Sequence, residues 1–152
     1  MKLKSTLPIL ALAAALAACK SVPPCPPGTQ LRGEGPPNGS EIACVKTVNG
    51  KEVKDGPFIL YSFNGSKTIQ GYYRDGKQDG EWTMWYDNGQ KKSVDRYQGG
   101  VQEGKHVSWY SNGRLDAKGQ YKNGEKAGVW KRWDQYGFKN WEETYKDGKK
   151  IS

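Results

Sequence analysis

The chain has 152 residues, a formal net charge of +8, three cysteines and one histidine. Such a length suits one domain of modest size, and the basic balance favours anionic partners such as lipid head groups, acidic glycans or an acidic protein. With no G-x-S-x-G elbow, no H-E-x-x-H and no phosphate loop, the sequence gives no support to an enzyme, and no cofactor or metal site is expected.

The N-terminus comes first in chain order. Lys2 and Lys4 lead into an apolar run of twelve residues, Leu7 to Ala18, broken only by Pro8. A helix needs about 20 apolar residues to span a bilayer, so this run has the pattern of an export signal instead. Leu16-Ala17-Ala18-Cys19 resembles the lipobox of bacterial lipoproteins, in which the cysteine is diacylated and becomes the new N-terminus. The competing reading is a plain signal peptide with a chance cysteine. On the lipobox reading residues 1–18 are a lipoprotein signal peptide and Cys19 is the lipidation site. Acyl chains would then anchor the protein firmly, each buried methylene contributing about 0.8 kcal/mol. Lys20 gives no retention signal of the Asp type, so the expected location is the bacterial cell envelope, at the outer membrane rather than the inner. Loss of Lys2 and Lys4 lowers the charge from +8 to +6. Nucleic acid would suit that charge, but export argues against it.

Residues 19–48 form the lipidated linker and a cap segment. With Cys19 taken by lipid, Cys25 and Cys44 remain, and an exported chain lives where disulfides persist. A Cys25–Cys44 bridge would close CPPGTQLRGEGPPNGSEIAC, a Pro- and Gly-rich loop with too few apolar residues to order itself. The cross-link contributes about 3 kcal/mol in the chain-entropy model. A pair of free thiols is the alternative.

Residues 49–152 carry an internal repeat. Gly56, Gly80, Gly104 and Gly128 stand 24 residues apart, opening units at 56–79, 80–103, 104–127 and 128–151. Tyr61, Trp85, Trp109 and Trp133 recur in step, as do Tyr73, Tyr97, Tyr121 and Tyr145. Each unit has two turn signals. The first is Asn-Gly at 64–65, 88–89 and 112–113, and Tyr136-Gly137 in the last unit; the second is Asp75-Gly76, Gly99-Gly100, Asn123-Gly124 and Asp147-Gly148. Such pairs suit two-residue hairpin turns, and the runs between them, rich in Trp, Tyr, Val and Thr, read as strands. The expected fold is all-β: an elongated, single-layer antiparallel meander of about eight strands with a disulfide-closed N-terminal cap.

Segments such as GYYRDGKQDGEWTMWYDNGQKK and GQYKNGEKAGVWKRWDQYG resemble the MORN-repeat variant found in many bacterial proteins. Its pattern is Y-x-x-G-K-x-x-G-x-W-x-x-[WY]-Y-x-x-G. The best match runs from Tyr73 to Gly89, while the fourth unit departs from it at Asp134. The resemblance covers residues 56 to 150 and implies a single-layer antiparallel sheet with no common catalytic activity. It also implies an antitoxin-like or immunity role, since relatives of this kind often carry those labels. The leading expectation is a lipid-anchored, non-enzymatic binding or scaffold module for a protein, an envelope glycan or an anionic surface.

Two-residue first turns would pair Phe58 with Gly71, Trp82 with Asp95, His106 with Gly119 and Trp130 with Glu143. Alternation then sorts the side chains onto two faces. One collects Phe58, Trp82, His106 and Trp130 with Leu60, Met84, Tyr86, Tyr110, Ile69, Trp141 and the four repeat tyrosines. This is the expected structural face, with Phe58 and His106 each covering a bare glycine and the segment from Ser21 to Val48 covering part of it. His106 is an aromatic stand-in with no evident partner group. The other face collects Tyr61, Trp85, Trp109 and Trp133 with Lys92, Arg96, Lys118 and Lys131. Rings with flanking cations can stack on ligands and attract anions, so Tyr61, Trp85, Trp109, Trp133, Lys92, Arg96 and Lys118 form the candidate binding face. The competing reading is cross-strand packing that stabilises a thin sheet.

Overall fold

The second turn of each unit has the expected geometry. Asp75, Asn123 and Asp147 hold φ at 50°, 52° and 47°, followed by Gly76, Gly124 and Gly148 at 77°, 81° and 72°. Gly99 and Gly100, at 57° and 89°, do the same. Two successive positive φ values define the type I′ turn, whose twist matches that of the flanking strands. In the computed structural model, which describes residues 23–152, these turns join a single antiparallel sheet. The expected signal peptide, Cys19 and Lys20 lie outside the described residues.

Twelve strands follow in chain order: β1 Gln30–Glu34, β2 Glu41–Val48, β3 Lys51–Tyr61, β4 Lys67–Arg74, β5 Lys77–Trp85, β6 Lys91–Gln98, β7 Val101–Gln102, β8 Gly104–Trp109, β9 Leu115–Lys122, β10 Glu125–Trp133, β11 Lys139–Lys146 and β12 Lys149–Lys150. Each lies beside its sequence neighbour, except that β7 and β8 both pair with β6 as two pieces of one interrupted strand. Counted that way, β3 to β11 are the eight strands expected of four units. β1, β2 and the short β12 extend the sheet at its ends.

The first turns differ from expectation. Gly65 N–H donates to Ser62 O and Ser62 N–H to Ser66 O, both at 2.9 Å, and the pattern recurs at 86–90, 110–114 and 134–138. These are three-residue loops closed by a glycine with positive φ. Asn64, Asn88 and Asn112 do not adopt the left-handed conformation that type I′ requires. Their side-chain oxygens instead accept the N–H of Ser66, Gln90 and Arg114 at 2.9 to 3.0 Å, the usual asparagine stabilisation of a turn. A bulge beside each loop, at Leu60/Tyr61, Met84/Trp85, Ser108/Trp109 and Arg132/Trp133, restores the register. Phe58 therefore pairs with Gly71, Trp82 with Asp95, His106 with Gly119 and Trp130 with Glu143, as expected.

The core lies on the expected face. Phe58, Trp82, Ala43 and Val45 are buried there, with Leu60, Ile69, Tyr73 and Tyr97 packed against them. Burial without a second layer is achieved by rings covering rings. Tyr73 meets Phe58 and Trp82 edge-on at 5.3 and 5.0 Å, and Tyr121 meets His106 and Trp130 at 5.9 and 5.0 Å. Such contacts contribute about 0.5–1.5 kcal/mol each beyond area burial.

The rings over the bare glycines are not the expected ones. A Cβ on Gly71 would lie 2.3 Å from Trp82 Cδ2, and one on Gly119 2.2 Å from Trp130 Cδ2. The cause is a second bulge, at the positive-φ glycine that opens each unit. Between Gln70↔Thr83 and Tyr72↔Asp79, three residues of β5 face one residue of β4. The extra length swings the indole across its neighbour, and Trp82 and Trp130 donate their N–H to the carbonyls of Tyr72 and Gln120 at 3.2 and 3.0 Å.

The cap also departs from expectation. β2 pairs with β3, Ala43 opposite Phe58, so much of the segment widens the sheet instead of covering the core. What does fold over lies on the other face, where Gly35 approaches the Tyr61 ring, its missing Cβ 3.6 Å from Cε2. Cys25 and Cys44 form the expected disulfide, Cα to Cα 5.6 Å. Cys44 is fully buried, and Pro26 packs against Gly56, whose added Cβ would be 2.8 Å from both Pro26 Cδ and Cys44 Cβ.

Candidate interaction surface

Tyr61, Trp85, Trp109 and Trp133 are the last residues of β3, β5, β8 and β10. The repeat therefore delivers one ring per unit to the same edge, just before the three-residue loop. All four are half-buried. Among the described residues they make no ring–ring contact with one another, unlike the core row. Cations meet two of them instead: Lys67 Nζ lies 4.4 Å from the Trp85 ring centre and Lys118 Nζ 5.4 Å from that of Trp133. The row is braced from behind, because Tyr86 and Tyr110 hydroxyls donate to the carbonyls of Trp109 and Trp133 at 2.9 and 2.8 Å. Asn88 and Asn112 side chains likewise reach Ser111 O and Gln135 O at 2.7 and 3.1 Å. The second unit is thus stapled to the third, and the third to the fourth, by the same pair of bonds.

Both ends of the row open into concavities. Tyr61 lines one of about 660 Å³ with Pro36, Pro37 and the fully exposed Phe63. Trp133 lines one of about 460 Å³ with Tyr110, Arg132 and Trp141. The expected cations divide. Lys118 joins the row at Trp133, while Lys92 reaches Tyr86, 5.7 Å from its ring centre. Simple alternation had put Lys92 and Tyr86 on opposite faces; Lys92 lies in the bulge between Lys91 and Ser93, where alternation breaks down. Arg96 lines a separate groove with Lys77 and Lys105, and Lys131 pairs with Glu142 at 3.5 Å.

His106 does have a partner. Its Nδ1 lies 2.6 Å from Asp95 Oδ1, to which Gln102 Nε2 also donates at 3.2 Å. Asp95 is buried and His106 stacks on Trp130 at 5.3 Å. The signal was present in the slot at 71, 95, 119 and 143, which holds Gly, Asp, Gly and Glu. Each of the first three is followed eleven positions later by the ring beside it: glycine by an indole at Trp82 and Trp130, aspartate by an imidazole at His106. A smaller ring makes room for the carboxylate and hydrogen-bonds it. Tyr97 and Tyr121 hold their phenols above the usual tyrosine range, first through burial and then through the charge of Asp95. At the disulfide end, Lys46 bonds Asp55 at 2.8 Å and also Asp75. The Lys46 hydrogen bond holds the Asp55 carboxyl below its usual range.

No curated protein matches this sequence. A solved structure of a Glycosylation Associate Protein (Gap123) complex from Streptococcus agalactiae is similar over 70% of this chain, at 14% identity and a TM-score of 0.39. This chain spans 19% of that one. Residues 78–98 and 102–123, which lie in the middle of the 24-residue array, match the family model of the MORN repeat variant.

Proposed function

We propose that this protein is a non-enzymatic repeat module, tethered to the bacterial envelope through a lipid on Cys19, that binds a protein partner along Tyr61, Trp85, Trp109 and Trp133. One observation carries the reading: four rings recur at the same strand end without packing on one another, Trp85 and Trp133 meeting lysines instead, and Trp109 and Trp133 held by hydrogen-bonded staples. Rigid aromatic side chains of this kind supply contact area at low entropic cost and are enriched at binding hot spots. The MORN-variant match of the middle units supports a repeat-based binding role. The lipobox-like Leu16-Ala17-Ala18-Cys19 and the disulfide support an exported, anchored chain, and an antitoxin-like or immunity role would be one instance of such binding.

The test is a pull-down from membranes with the full chain, its Cys19 intact, beside a Trp85→Ala/Trp109→Ala variant. A partner protein retained by the first and lost by the second is the expected result. Retention by both, or recovery of an envelope glycan and no protein, counts against this surface. Palmitate labelling that disappears in Cys19→Ser checks the anchor.

A further inference from the structure

The repeat supplies its own control for which residues the sheet needs, and one junction departs from it. The slot at 77, 101, 125 and 149 holds Lys, Val, Glu and Lys; that at 72, 96, 120 and 144 holds Tyr, Arg, Gln and Thr; that at 57, 81, 105 and 129 holds Pro, Glu, Lys and Val. The three cations, Lys77, Arg96 and Lys105, all line one groove of about 1020 Å³ that runs from the end of the first unit across the second to the third. Arg96 and Lys105 have no cationic counterpart in the other units, whereas the Lys77 slot holds a lysine again at Lys149, so the fold itself does not require a cation at 96 or 105.

Two of the three are held by the backbone beneath them. Lys77 lays its stem along Gly100, whose missing Cβ would be 3.6 Å from Lys77 Cβ and 3.8 Å from Cγ. Arg96 does the same at Gly104, with Cδ at 3.6 Å. Stems packed on bare glycine keep their charged heads extended into water. The carboxylates of the groove are engaged elsewhere: Asp79 with Arg74 at 3.0 Å, Asp75 with Lys46, and Glu103 with the N–H of Asn123 at 2.7 Å. Among the described residues, Lys77, Arg96 and Lys105 have no acidic partner.

We infer that this groove binds a carboxylate-rich segment of a protein partner. This deepens the binding reading and rests on it, but uses a surface separate from the tryptophan row. Three cations without an acidic partner among the described residues, two of them pre-positioned, complement acidic side chains. Tyr97, the one aromatic lining the groove, turns its ring to Trp82, 6.2 Å between centres, so no free ring offers a sugar a stacking platform.

The experiment measures binding of a fluorescent glutamate-rich peptide to the full chain in detergent by anisotropy, across a salt series. Binding that weakens with salt, and falls at least about tenfold in Arg96→Glu/Lys105→Glu at unchanged Tm, is the expected result. If that variant unfolds, Arg96→Gln/Lys105→Gln replaces it with the same expected direction. A control of equal charge change at the far edge, Lys146→Glu/Lys149→Glu, should keep the affinity; an equal loss there would mean general charge attraction and overturn the site. Binding of a sulfated glycan or of anionic vesicles, with none of the peptide, would overturn it too. Trp109→Ala should leave peptide affinity intact. Loss of peptide binding in the groove variant alone, beside normal partner capture, separates this site from the tryptophan row. Failure of the peptide to bind while the row still captures its partner would overturn the groove and leave the row standing.

Discussion

At Gly71 and Gly119 a hydrogen in place of a methyl group decides whether an indole can lie flat on the sheet. An added Cβ would meet Trp82 or Trp130 at 2.3 or 2.2 Å, so the ring must move and lose its hydrogen bond to Tyr72 or Gln120. Gly71→Ala and Gly119→Ala should each cost about 2–3 kcal/mol, read from urea unfolding. The Asp95–His106 pair follows the same logic of shared volume. His106→Trp alone sets an indole against a carboxylate, and Asp95→Gly alone strips His106 of its partner. The double variant Asp95→Gly/His106→Trp recreates the glycine–indole pair of the flanking units. A double-mutant cycle should therefore show positive coupling of about 1 kcal/mol or more; additivity would contradict the account. Tyr97 and Tyr121 have folded pKa values raised above the ordinary value of about 10. Their contribution to stability is then complete below pH 10 and is lost as pH rises through the folded values. Phenolate absorbance should appear late for these two, and earlier in Asp95→Asn.

At the scale of the element, strands, pairing and the type I′ turns were legible because they depend on alternation and on residues that tolerate positive φ. The three-residue first loops were not, since Asn-Gly suits both loop types and only the bulge distinguishes them. That bulge also explains why Lys92 reaches Tyr86. The covering indoles were hidden for a related reason: alternation assumes one residue opposite one, whereas the unit-opening glycines place three opposite one. At the cap, turn residues and the cysteine pair marked a closed loop, but nothing in its short apolar stretches announced that β2 would join the sheet edge. Reduction of Cys25–Cys44, or Cys25→Ser/Cys44→Ser, should lower stability by about 3 kcal/mol. The ion cluster at this end sets an acid limit. Asp55 has a depressed folded pKa, so its contribution is present above the unfolded value of about 3.9 and is lost as pH falls through the folded one. Lys46→Gln should flatten the acid edge of the Tm–pH profile, and an unchanged profile would dismiss the cluster.

Over the whole molecule, the 24-residue period was the most legible feature. A period without insertions leaves each unit the same neighbours, so one hairpin geometry propagates from Gly56 onward. The candidate surface was legible as a row of rings. Its bracing was less so, because hydrogen bonds from Tyr86 and Tyr110 to carbonyls 23 residues on follow from sheet geometry and leave no mark in composition. The groove cations become visible only when each unit is compared with the others at the register the fold defines. The central claim, that the tryptophan row is a site as well as a support, comes down to Trp109, a half-buried ring in the middle of the array. Affinity for the captured partner and Tm should be measured together for Trp109→Ala. The account predicts that Kd rises at least about tenfold, as for an interface hot spot, while Tm stays within a few degrees of the parent. A fall in Tm with partner affinity unchanged would contradict it and leave the row as packing alone.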